Sequence, residues 1–407
     1  MIIKKCRSCK SKKLTKLFSL GKLSFTGKFS NKYETNVPKA EIELVICKNC
    51  ELVQLSKNFN KRYLYGPDYG YRTGMNKTMK EHVKSVVINA KKLTKLKKSD
   101  AVLDIASNDG TLLNYYKKDI IKVGIDPTII KFKKYYKNID LSISDFFSKK
   151  KIKKKFGKKF KVITALSVFY DAEAPNKFLN DVEHLLEDDG IFILEHADLK
   201  SIINSKMFDT ICHEHLEYYS HKVIINLLKK NKLQLFDFKL NEINGGSTQY
   251  YIKKESCKKF KVNKSKIESL LKKEKLLKLN KTTTYKNFFK EIKKAKSNLI
   301  ILLDKLKKDN KTIHGYGAST KGNVLLQYFG INKKYLDFIA DRNPKKNGFY
   351  TPNFKIKIVN EESSRKLNPD YYLVLPWHFK KEILIREKNI RQKGTKFIFP
   401  LPKLLVQ

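Results

Sequence analysis

Arginine is scarce in a chain that is otherwise strongly basic. Of 87 lysines and arginines in 407 residues only seven are arginine, against 40 acidic residues and a formal net charge of +47. Readers of base edges and clamps on phosphate lean on the planar guanidinium fork, and the lysines are spread through segments such as "KKKIKKKFGKKFK" and "LLKKEKLLKLNK" instead of forming one stripe. The charge therefore reads as solvated lysine faces and excludes no small substrate; a basic protein still attracts phosphorylated molecules. Nucleic acid is not an expected partner. No apolar run of about 18 residues occurs, so no membrane span is expected. The start "MIIKKCRSCKSKK" has neither the apolar centre nor the cleavage site of a secretory signal, which points to the cytoplasm. Also missing are a repeat of solenoid length, the Gly-x-Gly-x-x-Gly of a dinucleotide site, and the His-Glu-x-x-His of a zinc protease: in "CHEHLEYYS" Glu217 stands where the second imidazole would be needed.

Cysteine is also sparse, but four of the six form two knuckles, Cys6-Arg-Ser-Cys9 and Cys47-Lys-Asn-Cys50. In a cytoplasmic chain this pattern indicates a four-thiolate zinc site, Cys6, Cys9, Cys47 and Cys50, with a disulfide framework as the competing reading. Four thiolates leave no open position, so this metal folds its segment and does not catalyse. From about residue 71 apolar strands alternate with helices, the mark of a parallel sheet. "AVLDIA", "IKVGID", "FKVITALSVF" and "GIFILEHA" read as strands, "DGTLLNYYKK" as the first helix, and Asp181 to Leu186 as a helix ending at "EDDG". "KLQLFDFKLN" and "STQYYIKK" form an antiparallel pair joined by "INGG". Residues 263–308 show leucine and isoleucine at helical spacing. A second strand and helix alternation starts at Thr312. The expected boundaries are a zinc-binding module at 1–70, a central α/β domain at 71–262, a helical linker at 263–308 and a Rossmann-like α/β domain at 309–407.

In "VLDIASNDGTLL" an apolar strand ends at Asp104, a loop of small residues follows, and Gly110 opens the next element, where backbone N–H groups are free for a ligand. Asp104 and Asp109 suit the amino and sulfonium cations of S-adenosylmethionine better than a pyrophosphate. Asp126, 22 residues after Asp104, ends the second strand and can accept ribose hydroxyls. Asp145 follows the third strand, positioned for an adenine amino group, with Phe146 on the ring. The expected cofactor residues are Asp104, Ala106, Ser107, Asn108, Gly110, Asp126, Pro127, Asp145, Phe146 and Ser167. Further on, "NGGSTQYY" offers Gly245 and Gly246 for close backbone approach and Ser247 as a donor, or simply makes a tight hairpin. "GYGASTKGN" places Gly315, Gly317 and Gly322 after a strand with Ser319, Thr320 and Lys321 available to a diphosphate. A nicotinamide site, with Asp341 as its acid, is the alternative there.

Taken in order, the paired knuckles, "DIASNDGTLL", "CHEHLEYYS", "NGGSTQYY", "GYGASTKGNVLLQ" and "LPWHF" resemble the sugar C-methyltransferases that act on nucleotide-linked 4-keto-hexoses, over essentially the whole chain. The resemblance implies a doubly wound class I methyltransferase sheet between a small zinc-binding module and a Rossmann-like C-terminal domain. It implies S-adenosylmethionine and structural Zn2+ as cofactors and a nucleotide-diphosphate sugar as substrate, with the protein a monomer or weak homo-oligomer. Methylating carbon needs removal of a proton beside a ketone while the oxygen's charge is stabilised; by resemblance His215 is the base and Glu214 its neighbour. Of Tyr218 and Tyr219, strand alternation aims one at the pocket. The expected substrate residues are Tyr71, Gly245, Gly246, Ser247, Tyr316, Ser319 and Lys321. Departures from the family are Ala106 in place of a glycine, Cys212 in place of a substrate-contacting tyrosine, and the absence of a histidine from "SVFYDAE". O- or N-methylation of a related sugar and a zinc-knuckle RNA methyltransferase are the other readings.

Overall fold

The computed structural model describes residues 1–66 and 69–407. An antiparallel sheet comes first: β1 (Leu14–Ser24), β2 (Lys39–Cys47) and β3 (Val53–Leu55). The helix Lys77–Thr94 leads into the central sheet. Its parallel strands are β4 (Ala101–Ile105), β5 (Ile121–Ile125), β6 (Leu141–Ile143), β7 (Phe160–Leu166) and β8 (Leu186–Ala197), whose apolar residues are largely buried because helices and loops cover both faces. β9 (Glu217–Tyr218) follows, and β10 (Leu233–Asn241) and β11 (Ser247–Lys254) complete the central sheet in the order β10-β11-β8-β7-β4-β5-β6, with β11 antiparallel to both neighbours. This is the class I methyltransferase arrangement.

Two helices, Lys264–Lys275 and Thr282–Lys308, lead to the third sheet. There β12 (Ile313–Tyr316), β13 (Ile339–Asp341), β14 (Ile358–Asn360), β15 (Tyr371–Val374) and β16 (Lys396–Phe399) are parallel in the order β14-β13-β12-β15-β16, and β17 (Leu405–Val406) closes the edge antiparallel. The crossing of β12 between β13 and β15 creates a topological switch point, where ligands enter open α/β sheets.

The units share cores. Phe18 of β1 stacks on Phe289 of the long helix at 4.8 Å, and Ser24 N–H donates to Gln327 Oε1 of the C-terminal unit at 2.8 Å. On the other side Cys6 and Cys47 join the apolar cluster of the central sheet with Phe169 and Tyr219. β9 leaves the central domain to pair antiparallel with β3, Tyr218 opposite Val53 and Glu217 opposite Gln54, so the segment after His215 is a strand of the N-terminal sheet.

Two expected helices differ. "DGTLLNYYKK" holds only the 3-10 turn Leu113–Tyr115: Asp109 Oδ1 accepts from the Thr111 hydroxyl at 2.6 Å, and buried Tyr116 takes an extended backbone to reach the core. The helix expected from Asp181 runs Pro175–Leu185, with Pro175 at its first turn where the missing N–H costs nothing, and "EDDG" already belongs to β8.

Candidate active site

The carboxyl ends of β4, β5, β7 and β8 and those of β12 and β13 face one cleft of about 710 Å3, against which the N-terminal module sets Gly27 and Phe29. On the central side the backbone after β4 turns left-handed at Ala106 (φ 60°), Asn108 (φ 50°) and Gly110 (φ 72°), folding the loop onto β5. Ala106 N–H donates to Ile125 O at 2.8 Å and Asn108 N–H to Asp126 Oδ2 at 3.0 Å. Asp126 Oδ1 accepts from the Thr128 N–H (2.6 Å) and hydroxyl (2.5 Å). A carboxylate has about four acceptor positions, so this fixed acid retains capacity for ribose hydroxyls. Asp104 Oδ1 accepts from the Thr164 hydroxyl at 2.6 Å. Burial pushes the Asp104 carboxyl up to about 7 in spite of that bond, and the Asp126 charge adds to the rise. Bringing a cation beside Asp104 relieves that penalty, which is what the amino and sulfonium groups of S-adenosylmethionine offer. The acid set, the close backbone and Phe146 together fit that cofactor.

Another side of the cleft is built on the segment between β8 and β9. His215 Nδ1 lies 2.7 Å from Thr210 O; a carbonyl only accepts, so Nδ1 carries the proton and Nε2 keeps the basic lone pair. Burial, reinforced by the Lys321 charge, lowers the imidazole to about 3, so it is neutral at any physiological pH. The Tyr170 ring packs on it at 4.2 Å between centroids. Glu214 is buried and raised by that burial, and its Oε2 has no hydrogen-bond partner among the described residues. A Cβ on Gly27 would stand 2.6 Å from Glu214 Oε1, so glycine is required there to admit the carboxyl. Asp171 accepts from the Tyr65 hydroxyl at 2.6 Å, and burial raises it well above the carboxylate range.

The C-terminal side supplies cations. Lys321 Nζ donates to Asn244 O at 3.1 Å and Lys346 Nζ to Ala318 O at 2.5 Å. Arg342 pairs with Glu382 at 3.2 Å and Arg386 with Glu361 at 2.8 Å. Asp341 is engaged by its own loop, accepting from the Ala318 and Asn343 N–H groups at 2.7 and 2.8 Å, with Lys346 Nζ 4.0 Å away.

Away from the cleft the ligand atoms of Cys6, Cys9, Cys47 and Cys50 lie within 4.8 Å of one another, with Cys6–Cys50 and Cys9–Cys47 at 3.5 Å. A tetrahedron of Zn–S bonds of about 2.3 Å requires S···S separations of about 3.8 Å, so the four thiolates fit one structural zinc ion.

Known proteins fit this layout. Residues 242–402 match the family model "C-methyltransferase C-terminal domain" and residues 6–65 the model "Putative zinc binding domain". C-methyltransferase NovU of Streptomyces niveus is 26% identical over 366 residues, 89% of this chain and 86% of that protein. The chain is a methyltransferase. Among solved structures, an S-adenosylmethionine-dependent methyltransferase from Clostridium acetobutylicum is 15% identical over 42% of this chain and 91% of that chain (TM-score 0.34). The plantazolicin methyltransferase BpumL is 14% identical over 48% and 94% (TM-score 0.38).

In this methyltransferase, Asp104, Ala106, Ser107, Asn108, Asp126, Pro127, Asp145, Phe146 and Ser167 all line the cleft with His215, Glu214, Tyr71, Tyr316, Ser319 and Lys321. Gly110 does not: a Cβ there would meet Ile139 at 2.6 Å, so it is a packing glycine. Asp109 is also turned away, its Oδ2 engaged by Arg72 Nε (2.9 Å) and the Gly74 N–H (3.0 Å). Gly245 packs on Met207 and Trp377, Gly246 on Ser201, and Ser247 donates to Ile243 O; the turn presents Asn244 to the cleft instead. Neither Tyr218 nor Tyr219 reaches it: the first donates to His215 O at 3.0 Å and the second stacks on Phe169. Glu195, which sequence reasoning missed, lines the cleft at the end of β8, accepting from Gln249 Nε2 at 2.6 Å with His82 Nε2 at the same distance. The same strand-end pattern that marks Asp104 and Asp126 was present there in "ILEHA".

Proposed function

We propose that this methyltransferase transfers a methyl group to carbon in a nucleotide-linked keto-sugar, beside the ketone, in the synthesis of a branched sugar. The observation that carries the reading is His215: a neutral imidazole with its Nδ1 proton fixed on Thr210 O, set in a cleft with acids on one wall and cations on the other. Such a base can take a proton from carbon, whereas transfer to a hydroxyl calls for less. Asp104, Asp126, Asp145 and Phe146 would hold S-adenosylmethionine, which supplies an electrophilic methyl group on a sulfonium. His215 Nε2 receives the α-proton, the neighbouring charge on the ketone oxygen is stabilised by the cleft, and the carbon takes the methyl group as the ketone reforms. Glu214, whose buried carboxyl is raised and whose Oε2 has no partner among the described residues, holds a substrate hydroxyl. Ser319 and Lys346 of the C-terminal wall face the diphosphate. The domain boundaries set out above, at 70, 262 and 308, belong to the same reading.

The test is a panel of nucleotide-linked sugars, with and without a 4-keto group, incubated with methyl-labelled S-adenosylmethionine and read by mass spectrometry. Label should enter keto-sugars only; label in sugars lacking a ketone contradicts the reading.

A further inference from the structure

Two lysines line the same wall and are held in opposite directions. Lys346 belongs to the outer loop after β13: its Nζ donates to Ala318 O, lies 4.0 Å from Asp341 Oδ2 and sits 4.5 Å from the centre of the Phe29 ring. Lys321, in the first turn of the helix Thr320–Phe329, reaches across to the central domain. Its Nζ donates to Asn244 O at 3.1 Å, and Asn244 Nδ2 in turn donates to Ser167 Oγ at 3.1 Å, at the end of β7 beside the cofactor loop. Asn244 holds this position with a left-handed backbone, φ 57°.

The ammonium thus stands between the cofactor rim and the turn Phe208–Thr210 that fixes His215. It forms no ion pair among the described residues, and two of its three donors remain after Asn244. Burial lowers the Lys321 ammonium while Asp209, itself bound to Trp377 Nε1 at 2.9 Å, supports the cation; its charge in turn adds to the larger effect of burial in lowering His215 and His378. A base as weak as His215 removes a carbon-bound proton only where the electrons it leaves behind are met by positive charge.

We propose that Lys321 is the group that meets the substrate's carbonyl oxygen and stabilises the enolate, leaving the diphosphate to Lys346; this rests on the keto-sugar reading above. In the step, the C–H pair becomes the C=C bond, the C=O π pair moves onto the oxygen beside Lys321, and the proton resides on His215 Nε2. On methyl transfer the C=O bond reforms, the C=C pair bonds the methyl carbon, the methyl–sulfur pair stays on sulfur, and His215 yields its proton to water.

Lys321→Met and Lys346→Met separate the roles. Thymidine diphosphate and uridine diphosphate serve as probes of the diphosphate site by calorimetry, and thymidine-diphosphate-linked 4-keto-6-deoxyglucose as the probe of turnover. Lys321→Met should bind the diphosphates within about twofold of the parent yet lose roughly a hundredfold in kcat, the scale of a lost oxyanion donor. Its His215 should titrate higher by NMR, and Lys321→Arg should restore the low value. Lys346→Met should lose about tenfold in diphosphate affinity, a charge-assisted contact. Tenfold weaker diphosphate binding by Lys321→Met, or a parent-like kcat in it, overturns the assignment while the methylation reading stands. A parent enzyme that binds diphosphates but neither methylates the keto-sugar nor exchanges its α-proton with deuterated water removes both.

Discussion

The central and C-terminal sheets share a parallel, doubly wound layout and open onto the same cleft, yet their rims carry opposite charge. Asp104 and Glu195 lie near the carboxyl ends of β4 and β8, and Asp126 just past that of β5. The C-terminal wall carries Lys321, Lys346, Arg342 and Arg386, the arginines partly neutralised by Glu382 and Glu361. Strand geometry is common to both; what differs is the charge that the strand ends and the loops and helices after them bring to each rim, although β13 itself ends in Asp341. On the function proposed above, one architecture thereby offers an acidic rim to a cationic methyl donor and a basic rim to an anionic substrate, and function follows the rim residues, not the fold.

The largest effect should come from the group between the two rims. His215→Asn keeps the size and the hydrogen bond to Thr210 but has no base near neutral pH. Turnover should fall by about a hundredfold or more with both ligands still bound by calorimetry. Near-parental turnover would instead direct attention to Tyr170 and Asp171.

Zinc comes next. Arg7, which follows the first thiolate, donates to Leu55 O at 2.7 Å and Leu216 O at 3.4 Å, and β3 pairs with β9 beside His215. Removing zinc with a chelator should therefore lower the melting temperature and reduce kcat by about tenfold, the scale on which an imprecisely held base fails, with S-adenosylmethionine affinity changing less. Full activity in demonstrably zinc-free protein would show the knuckles to be independent of the catalytic turn.

Much of this was legible in the sequence and part was not. β4 and β5 show themselves as short, mainly apolar runs with an acid near or just past the end, and the knuckles as paired cysteines, because each signal is local. The pairing of β9 with β3 joins residues far apart in the chain, so no periodicity announces it. Gly245 and Gly246 were expected at the substrate because glycine allows close approach; the approach is real, but to Trp377 and Ser201. The direction of Lys321 depends on Asn244, a contact between two domains.

A smaller effect separates the acid rim by pH. In the folded, ligand-free protein burial raises Asp104 to about 7, so between the ordinary carboxylate range and about 7 the folded state holds a proton that the unfolded state has released. Asp104 thus makes the ligand-free protein less stable as pH rises through that window. A bound cation favours the ionised acid. S-adenosylmethionine affinity should accordingly rise from pH 6 to 8 with release of a proton, measured by calorimetry in buffers of different ionisation enthalpy. Affinity independent of pH would place the cationic group elsewhere.

The smallest expected effect is at Ala106, a non-glycine residue at φ 60°. Ala106→Gly should relieve about 1 kcal/mol of left-handed strain, offset in part by the freer unfolded chain. A small gain or no change in melting temperature is expected; a large loss would mean that the methyl group packs in the loop.

The central claim, that the two rims bring a methyl donor and a keto-sugar together for transfer to carbon, is tested most directly by the bond formed. With 13C-methyl S-adenosylmethionine and a nucleotide-linked 4-keto-6-deoxy-hexose, NMR of the product should correlate the labelled methyl with a ring carbon bonded directly to it, next to an intact ketone. A methyl group joined to oxygen or nitrogen would contradict the account.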